Sequence, residues 1–564
     1  MRNALLAATA LLLAAPSPAL ADTLVDNANG IQVDATRKLQ RFTGLVIGND
    51  GKVKALLRQG DTRPAAEMRI DAGGRTLLPG LIDAHGHVID SPGQGMGLGL
   101  ALLQLDLTGT SSIAELQTRL STYAAANPDV PWIVGRGWNQ ELFGDGRYPT
   151  AADLDKVVSD RPVWLGRVDG HASVGNSAAL RAAGVAANTA DPDGGRIERD
   201  ASGNPTGLFI DNATTLVGSK VPAITAAMLD RGLKAAQDAL LANGITAVAD
   251  MGTSARGWDT MRRLGQSGAL GIRIMSYADG LEPLQSRGGP TDWQFDGKLR
   301  MGGVKLYADG ALGSRGAWLK QPYADQPDTR GLRFLDDAEL MRQATVAATA
   351  GAQVAIHAIG DAANDQAIST FEKLGQAHKG DRRWRIEHAQ VVDPADIPRI
   401  AKAGIIASMQ PTHQTSDRTM AEARLGSERL KGAYAWQTIA QSGATLAFGS
   451  DFPVESPNPF HGLAAAVSRQ GLDGMPPGGW RPQERVSFEQ ALAGFTRGAA
   501  YAGFAEDRIG SLDAGKYADF ILVDRDVSQV SPSELARTQV LETWVGGKKM
   551  WSRDASGGPG ERGR

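Results

Sequence analysis

Two histidines separated by one glycine, His85 and His87, end the apolar run at residues 76–88. In an extended strand, residues two apart point to the same face, so both imidazoles can bind one ion while Gly86 leaves the space between them free. Imidazole is a common ligand of zinc, iron and nickel. With only 8 histidines in 564 residues, the pair indicates a metal site rather than a polar surface turn.

Two more histidines and one aspartate end strand-like runs further along the chain, at His357, His388 and Asp451. A single histidine on a strand is usually a hydrogen-bonded core residue, but two at successive strand ends, after a His-x-His pair, indicate ligands. Asp451 also suits a helix N-cap. We interpret it as the general base, because a carboxylate after a Gly-Ser step at a strand end can touch both a metal and its water.

Lys305 lies inside the apolar run at residues 301–307. Burial of an ammonium is costly unless the charge is paired or lost, so a lysine here needs either a function or an exposed strand edge for its amine. Burial also lowers the pKa of lysine. The neutral amine can then add carbon dioxide to form a carbamate, an anion whose two oxygens can bridge two cations.

Eight strand-like runs alternate with helical stretches, a pattern typical of parallel βα units. Helices are predicted at residues 226–243, 337–350 and 361–374. Eight units predict an α/β fold of the TIM type, a (β/α)8 barrel whose active site lies at the carboxyl ends of the strands. The predicted strands are residues 77–84, 162–168, 245–250, 301–307, 353–359, 384–388, 404–409 and 445–450.

Composition narrows the class of protein. The chain has no cysteine, which excludes disulfides and thiolate metal sites, and its formal net charge of -3 gives no sign of a nucleic-acid or lipid surface.

Residues 1–21 combine Arg2, a short apolar stretch and an Ala-x-Ala ending, which predicts a signal peptide cleaved after about Ala21. An uncleaved anchor is the alternative, but the stretch is too short to span a bilayer. The mature protein is expected to be periplasmic or secreted and free of the membrane, and a homo-oligomer is compatible with this composition.

The sequence Pro-Gly-Leu-Ile-Asp-Ala-His-Gly-His at residues 79–87 resembles the first-strand signature of the amidohydrolase superfamily, metal-dependent hydrolases built on a (β/α)8 barrel. Residues 137–143, 148–155 and 168–177 resemble segments of its branch similar to N-substituted formamide deformylase, often called amidohydrolase family 3. The resemblance implies two divalent ions, most simply zinc. It implies one ion held by His85, His87 and Asp451, a second held by His357 and His388, and a carboxylated Lys305 that bridges them.

The same resemblance implies a β-sandwich lobe formed by both termini and an insertion near the barrel mouth. The expected organisation is a signal peptide at residues 1–21, sandwich at 22–80, barrel at 81–500 with an insertion at about 90–225, sandwich at 501–552 and a disordered tail at 553–564. Because inserted material commonly walls the substrate pocket, Trp138, Asn139 and His171 are candidate substrate contacts. Trp138 suits core packing equally well.

Weaker candidates follow the later strands. Arg315 and His413 are further candidates for substrate contact, although His413 can equally be an ordinary loop residue. Asp309, Arg315 and Glu387 are candidates for orienting the ligands.

These positions support a hypothesis of metal-dependent hydrolysis. A hydroxide shared by the two ions attacks a carbonyl that one ion polarises, and Asp451 takes the proton and gives it to the leaving nitrogen. The resemblance favours a non-peptide C–N bond in a small amide-type molecule. Ester or lactone hydrolysis needs the same hydroxide and is an alternative. A non-catalytic binding or regulatory protein on this scaffold is another, usually marked by a lost ligand, and no ligand is lost here.

Overall fold

The computed structural model describes residues 22–90, 97–167 and 172–553. At its centre is an eight-stranded parallel sheet whose strands follow one another in chain order, which confirms the predicted (β/α)8 barrel. Between strands eight and one, the backbone N–H of Asp451 donates to the carbonyl of His85 at 2.7 Å. Strands one to eight are Leu81–Gly86, Ile245–Thr253, Arg273–Asp279, Leu299–Tyr307, Gln353–Ala358, Arg385–His388, Ile406–Met409 and Thr445–Phe448.

The prediction for strand two is wrong. The run expected there forms Val163–Arg167, which pairs with Ile133–Trp138 and Ala172–Gly175 in a different sheet. Strand two is instead the run at residues 245–253, and strand three, Arg273–Asp279, was not recognised. A short apolar run has the same local pattern in either sheet, so periodicity does not reveal its partners. Strand three begins with a buried arginine whose charge is paired with Asp519, 246 residues away, at 2.7 Å.

Helices surround the barrel and connect its strands. The predicted helices appear at Ala226–Ala242, Asp337–Thr349 and Asp361–Ala377. Thr225 and Asp336 cap the first two by accepting a backbone N–H with their side chains. The remaining barrel helices are Ala255–Gln266, Leu281–Ser286, Ile397–Lys402, Pro411–Arg429, Trp436–Gln441, Pro459–Ser468, Phe488–Gly494 and Arg497–Ala502.

Strands from both ends of the chain form the lobe beside the barrel. One sheet has six strands, in the order Lys548–Ser552, Val540–Val545, Phe520–Val523, Thr76–Pro79, Asn29–Val33 and Leu39–Phe42. The other has four, in the order Val53–Leu57, Gly44–Ile47, Thr23–Asp26 and Met68–Asp71. Val25 and Leu45 of the second sheet pack against Leu77 and Phe520 of the first in one apolar core, which is the expected sandwich.

An inserted lobe lies in the chain between barrel strands one and two. Its apolar core includes Leu116, Trp138, Leu165 and Val174. Its sheet has six strands, in the order Gly195–Arg199, Pro205–Asp211, Ala172–Gly175, Val163–Arg167, Ile133–Trp138 and Leu105–Asp106. Its helices are Ile113–Ala126, Ala151–Asp155, Ser177–Ala183 and Thr214–Gly218, whereas the preceding helix Leu98–Ala101 packs in the core of the barrel.

The predicted signal peptide and residues 554–564 of the predicted tail lie outside the described residues. None of the helices in the described ranges has the length and the apolar composition that a membrane span requires.

Candidate metal centre and active site

The carboxyl ends of the barrel strands bring four imidazoles and one carboxylate together. The ring centroid of His388 lies 4.8 Å from that of His85 and 4.5 Å from that of His357. Asp451 Oδ1 lies 3.0 Å from Nε2 of His87 and 3.4 Å from Nε2 of His85. All five side chains are buried. Ligand atoms of His85, His388 and Asp451 lie within 4.8 Å of one another, an arrangement that can hold a metal ion.

Hydrogen bonds and close backbone packing hold the ends of strands one and eight together beside these side chains. The buried carboxylate of Asp83 accepts hydrogen bonds from the backbone N–H of His85 at 3.0 Å and from the hydroxyl of Ser450 at 2.7 Å. A Cβ at Gly449 would lie 2.5 Å from Asp83 Oδ1, and a Cβ at Gly86 would lie 2.3 Å from the ring of Phe452. The space at Gly86 is therefore filled by Phe452, and both glycines are required by the approach of the two strands.

Two of the candidate ligands have left-handed backbone conformations, with φ of 76° at His388 and 61° at Asp451. For residues other than glycine, such a conformation costs on the order of 1–3 kcal/mol and is concentrated at functional sites. The hydrogen bond from Asp451 N–H to the carbonyl of His85 holds one of them in place.

Hydrogen bonds at Nδ1 fix the orientation of two of the rings. Nδ1 of His85 lies 2.7 Å from Glu387, whose other oxygen accepts from the buried guanidinium of Arg385 at 2.7 Å. Nδ1 of His388 lies 2.8 Å from the amide oxygen of Gln410. Both rings therefore keep Nε2 for the centre, an arrangement typical of metal-binding histidines. Glu387 is the orienting residue that the sequence indicated, and Gln410 was not foreseen.

Lys305 is completely buried and its amine lies 3.2 Å from Nε2 of His85. Burial lowers the pKa of this amine to about 8, against the opposing effects of Glu387 and Asp451. A substantial fraction of the side chain is therefore neutral near pH 8, as carbamate formation requires. The alternative of a lysine that extends to an exposed strand edge does not fit this burial.

The donor atoms fit divalent metal ions. Among the described residues, neither ring nitrogen of His357 has a hydrogen-bond partner at normal geometry, and neither has Nδ1 of His87. A buried polar atom left unpaired costs about 1–3 kcal/mol, so such atoms indicate a missing partner such as an ion or a water. Burial, assisted by the charge of Lys305, lowers the pKa of His85 to about 4 and that of His357 to about 3. Both rings are therefore neutral near pH 7, which is the form that binds metal.

Other acidic groups surround the centre. Asp309 lies 3.5 Å from His357 Nε2, and its carboxylate accepts the backbone N–H groups of Trp318 at 2.8 Å, Ile359 at 3.0 Å and Gly360 at 2.8 Å. It thereby ties the ends of strands four and five together.

The hydroxyl of Tyr307 donates to Asp279 at 2.9 Å. This pair at the ends of strands four and three was missed, because Asp279 belongs to the strand that the sequence analysis did not recognise.

The candidate substrate contacts occupy different places. Trp138 is buried in the inserted lobe and donates to the carbonyl of Leu165 at 2.8 Å, so its alternative role in core packing holds. Asn139 accepts from Glu141 N–H and from Arg167 in the same lobe. Arg315 is paired with Asp325 at 2.9 Å. His171 lies outside the described residues. Of these candidates, the structure brings His413 to the ligands, with Nε2 3.6 Å from Asp451 Oδ2.

A sequence profile of the amidohydrolase family matches residues 69–550, which is most of the chain. The chain belongs to the amidohydrolase family. The amidohydrolase is 35% identical to the protein LONG AFTER FAR-RED 3 of Arabidopsis thaliana, over 95% of this chain and 92% of that relative. It is 28% identical to N-substituted formamide deformylase of Arthrobacter pascens, over 95% of this chain and 99% of that enzyme.

The fold also matches a solved structure. An uncharacterised metal-dependent hydrolase from Pyrococcus horikoshii is 29% identical, with 91% of this chain and 99% of that chain covered and a TM-score of 0.73. The family predicted from the sequence is confirmed, and the amidohydrolase is a metal-dependent hydrolase.

Proposed function

We propose that this amidohydrolase hydrolyses a non-peptide C–N bond of amide type in a small molecule. The observation that carries the proposal is the convergence of the ligand set and a carboxylate base at the carboxyl ends of the barrel strands. Similarity to N-substituted formamide deformylase supports an N-substituted formamide or a related amide as the substrate.

Two divalent ions would be held here, and zinc suits imidazole and carboxylate ligands best. When bound, such an ion lowers the pKa of a water to about 7 and polarises a carbonyl. The first would be held by His85, His87 and Asp451, the second by His357 and His388, and N6-carboxylated Lys305 would be shared between them.

Asp451 is the general base of the proposed reaction. Burial alone would raise the pKa of its carboxyl, but His85, His87 and His388 outweigh that effect and hold the pKa well below its usual range. The carboxylate is therefore ionised at neutral pH. It can accept the proton of the attacking water and deliver it to the leaving nitrogen.

Ester or lactone hydrolysis uses the same nucleophile and base, so the substrate panel below includes both. A non-catalytic member of the family would be expected to lack a ligand or the base, and this chain has the full set. We further propose that the mature protein begins near residue 22 and acts in the periplasm or outside the cell, as a monomer or a homo-oligomer.

The test uses mature protein loaded with zinc or manganese and assayed on N-substituted formamides, cyclic amides, esters and lactones. We expect close to two metal equivalents and hydrolysis of at least one amide, with chelation abolishing activity and added metal restoring it. Failure to bind metal under any loading condition would refute the metal centre. Full metal content with turnover of esters alone would refute the C–N specificity.

A further inference from the structure

The interior of the barrel contains a polar network at a place where bulky apolar side chains are usual. Strands three, five and six supply its four members, each at most 5% exposed, namely Tyr277, Gln353, Arg385 and Glu387. Among the described residues, none of their buried polar atoms lacks a hydrogen-bond partner, in contrast to the imidazole of His357. Buried polar groups are costly unless all of them are paired, so a fully paired set in the barrel core requires an explanation.

The upper end of the network contacts the candidate ligand His85. Glu387 lies 2.7 Å from Nδ1 of His85 and accepts from Nε of Arg385 at 2.7 Å. The same guanidinium donates to the carbonyl of Ala84 at 2.7 Å and to the hydroxyl of Ser408 at 3.0 Å. It thereby joins strands one, six and seven directly below the metal centre.

The lower end of the network holds Arg385 from the floor of the barrel, which is formed by the amino ends of the strands. Nη1 of Arg385 lies 3.1 Å from the hydroxyl of Tyr277, and that hydroxyl donates to the side-chain oxygen of Gln353 at 2.5 Å. The amide nitrogen of Gln353 donates to the backbone carbonyls of Arg383 at 2.5 Å and Ala502 at 2.9 Å. Because Gln353 is the first residue of strand five, these carbonyls lie at the end opposite to the metal centre.

The direction of every hydrogen bond in this chain is determined. A guanidinium only donates, so the Tyr277 oxygen accepts from Arg385 and its own proton goes to Gln353. The two backbone carbonyls decide which end of the Gln353 amide faces Tyr277, since a carbonyl only accepts. At the upper end, the Glu387 carboxylate is ion-paired with Arg385 and accepts from Nδ1–H of His85, which leaves Nε2 for a metal ion.

Strand four leaves room for the Tyr277 ring at Gly303. A Cβ on Gly303 would lie 2.8 Å from Cδ1 of Tyr277 and 2.3 Å from the backbone oxygen of Gln353. On the other side, the guanidinium carbon of Arg385 lies 4.9 Å from the centre of the Tyr277 ring. Glycine inside a strand often marks such a close approach. The ring is therefore confined between strand four and the guanidinium that its hydroxyl contacts.

We propose that Tyr277 is a positioning residue that holds the buried ion pair of strand six in the orientation at which His85 presents Nε2 to a metal ion. Gln353 fixes Tyr277 in turn. The inference rests on the metal centre of the proposed function and is independent of the kind of bond that is cleaved. Neither Tyr277 nor Gln353 touches the metal or the substrate. A purely structural role would cost stability alone, whereas this role also weakens the metal ion that His85 binds.

The test measures zinc affinity by competition with a chelator in four versions of the full chain, which are wild type, Tyr277→Phe, Glu387→Gln and the double variant. Phenylalanine keeps the ring but removes the acceptor of Nη1 and the donor to Gln353. Tyr277→Phe should weaken one of the two zinc equivalents by about 10-fold, at the lower end of the range for partners of metal ligands. The double variant should bind zinc no more weakly than Glu387→Gln alone, because groups that act as a unit are non-additive.

Tyr123→Phe is the matched control. The Tyr123 hydroxyl also donates to a group inside the protein, the carbonyl of Leu103 at 2.5 Å, but it belongs to a helix of the inserted lobe. Its removal should lower the melting temperature and leave both zinc affinities unchanged. Gln353→Met removes the acceptor of the Tyr277 hydroxyl. It should weaken the same zinc equivalent less than Tyr277→Phe does, and it serves if Tyr277→Phe does not fold.

A spectroscopic readout reports on His85 directly. In protein saturated with zinc and labelled with 15N-histidine, the Nδ1–H signal of His85 is assigned by its loss in His85→Gln. Tyr277→Phe should shift this signal, because the carboxylate that accepts the proton changes its position. Tyr123→Phe should leave the signal where it is in the wild type.

Zinc affinities and a His85 signal that are unchanged in Tyr277→Phe and Gln353→Met would overturn the proposal. Losses that multiply in the double variant would do so too, as would an equal loss of affinity in Tyr123→Phe. A wild type that binds no zinc under any loading condition would refute the metal centre and this inference with it. Weakened zinc in Tyr277→Phe, together with a wild type that hydrolyses esters alone, would support this inference and refute only the proposed C–N specificity.

Discussion

The two proposed halves of the metal centre are assembled to different degrees by the protein itself. In the first half, formed by His85, His87 and Asp451, the carboxylate lies 3.0 Å from one imidazole and 3.4 Å from the other. In the proposed second half, formed by Lys305, His357 and His388, a partly charged amine faces neutral imidazoles, and neither ring nitrogen of His357 has a hydrogen-bond partner at normal geometry among the described residues. The first half has a carboxylate against both of its imidazoles, whereas the carboxylate nearest to His357, that of Asp309, lies 3.5 Å from Nε2 and already accepts three backbone N–H groups.

The difference follows from where the strands lie. Strands one and eight are joined by Asp83 and by the hydrogen bond from Asp451 N–H, so a carboxylate is brought directly against the histidine pair. The side chain that strand four supplies to the second half is a lysine, which becomes an anion only by carboxylation. Occupancy of the proposed second half is therefore expected to depend on the carboxylation of one amine, and four substitution experiments test this expectation.

The largest effect is expected at Lys305. Lys305→Arg should reduce bound metal from about two equivalents to about one and reduce hydrolysis to background, because a guanidinium stays cationic and cannot add carbon dioxide. Metal analysis and turnover on the best amide measure both quantities. Lys305→Ala should regain part of each when a short carboxylate such as acetate is added.

Lys298 provides a matched control. It directly precedes barrel strand four, at the end opposite to the metal centre, and burial lowers the pKa of its amine to about 8 as well. Lys298→Arg should keep metal and activity. An active Lys305→Arg enzyme would show that the second half does not need an anion from this position.

Asp451→Asn should have the next largest effect. Asparagine keeps the shape and one oxygen but cannot accept a proton, and general base catalysis contributes typically about 10²- to 10⁴-fold. We expect kcat to fall by that factor while the fold and most of the metal are retained, as judged by circular dichroism and metal analysis. Wild-type kcat/KM should also decline on the acid side of its pH profile. Near wild-type turnover by Asp451→Asn would rule out this residue as the base.

A smaller effect is expected where the two halves differ in how their rings are oriented. Glu387 places a carboxylate against His85, whereas Gln410 places a neutral amide oxygen against His388. Glu387→Gln should weaken metal binding in the first half by about 10- to 100-fold, because a carboxylate makes the ligating imidazole more basic. Gln410→Met should act on the second half alone. Competition with a chelator measures both, and equal effects of the two variants on the first half would contradict the division.

The smallest effect concerns acid stability of the metal-free protein. The pKa values of His85 and His357 are lowered in the folded state to about 4 and about 3, so the unfolded chain binds protons that the folded chain does not. Stability should therefore decrease as pH falls from about 6.5, the unfolded pKa, toward about 4, and recover as pH rises.

Thermal unfolding at a series of pH values measures this decline. His357→Gln should flatten it more than His85→Gln, because the shift at His357 is larger, and His378→Gln, outside the centre, should leave it unchanged. A decline that is identical in all three variants would assign the acid sensitivity to other groups.

Much of the site could be predicted from the sequence, because its ligands are local features. His85 and His87 lie two residues apart at the end of one strand. His357, His388 and Asp451 each follow or end an apolar run whose pattern indicates a strand, whichever strands it pairs with. Lys305 was recognisable because a lysine within an apolar run is unusual. The barrel itself followed from the alternation of strands and helices, although its second and third strands were misassigned.

The sequence by itself determined which chemical groups are present and which end of each strand bears them, since strand periodicity and burial act over a few residues. Only the tertiary structure decided the partners that lie far apart in the chain. A buried arginine at the start of strand three is explained only by its ion pair with Asp519, which the sequence does not reveal. Asp279 and Tyr307 likewise come into contact only because strands three and four pair. The contacts of Tyr277 with Arg385 and Gln353 were equally hidden, because three-dimensional proximity between separate segments is set by the packing of the whole barrel and leaves no local pattern in any one of them.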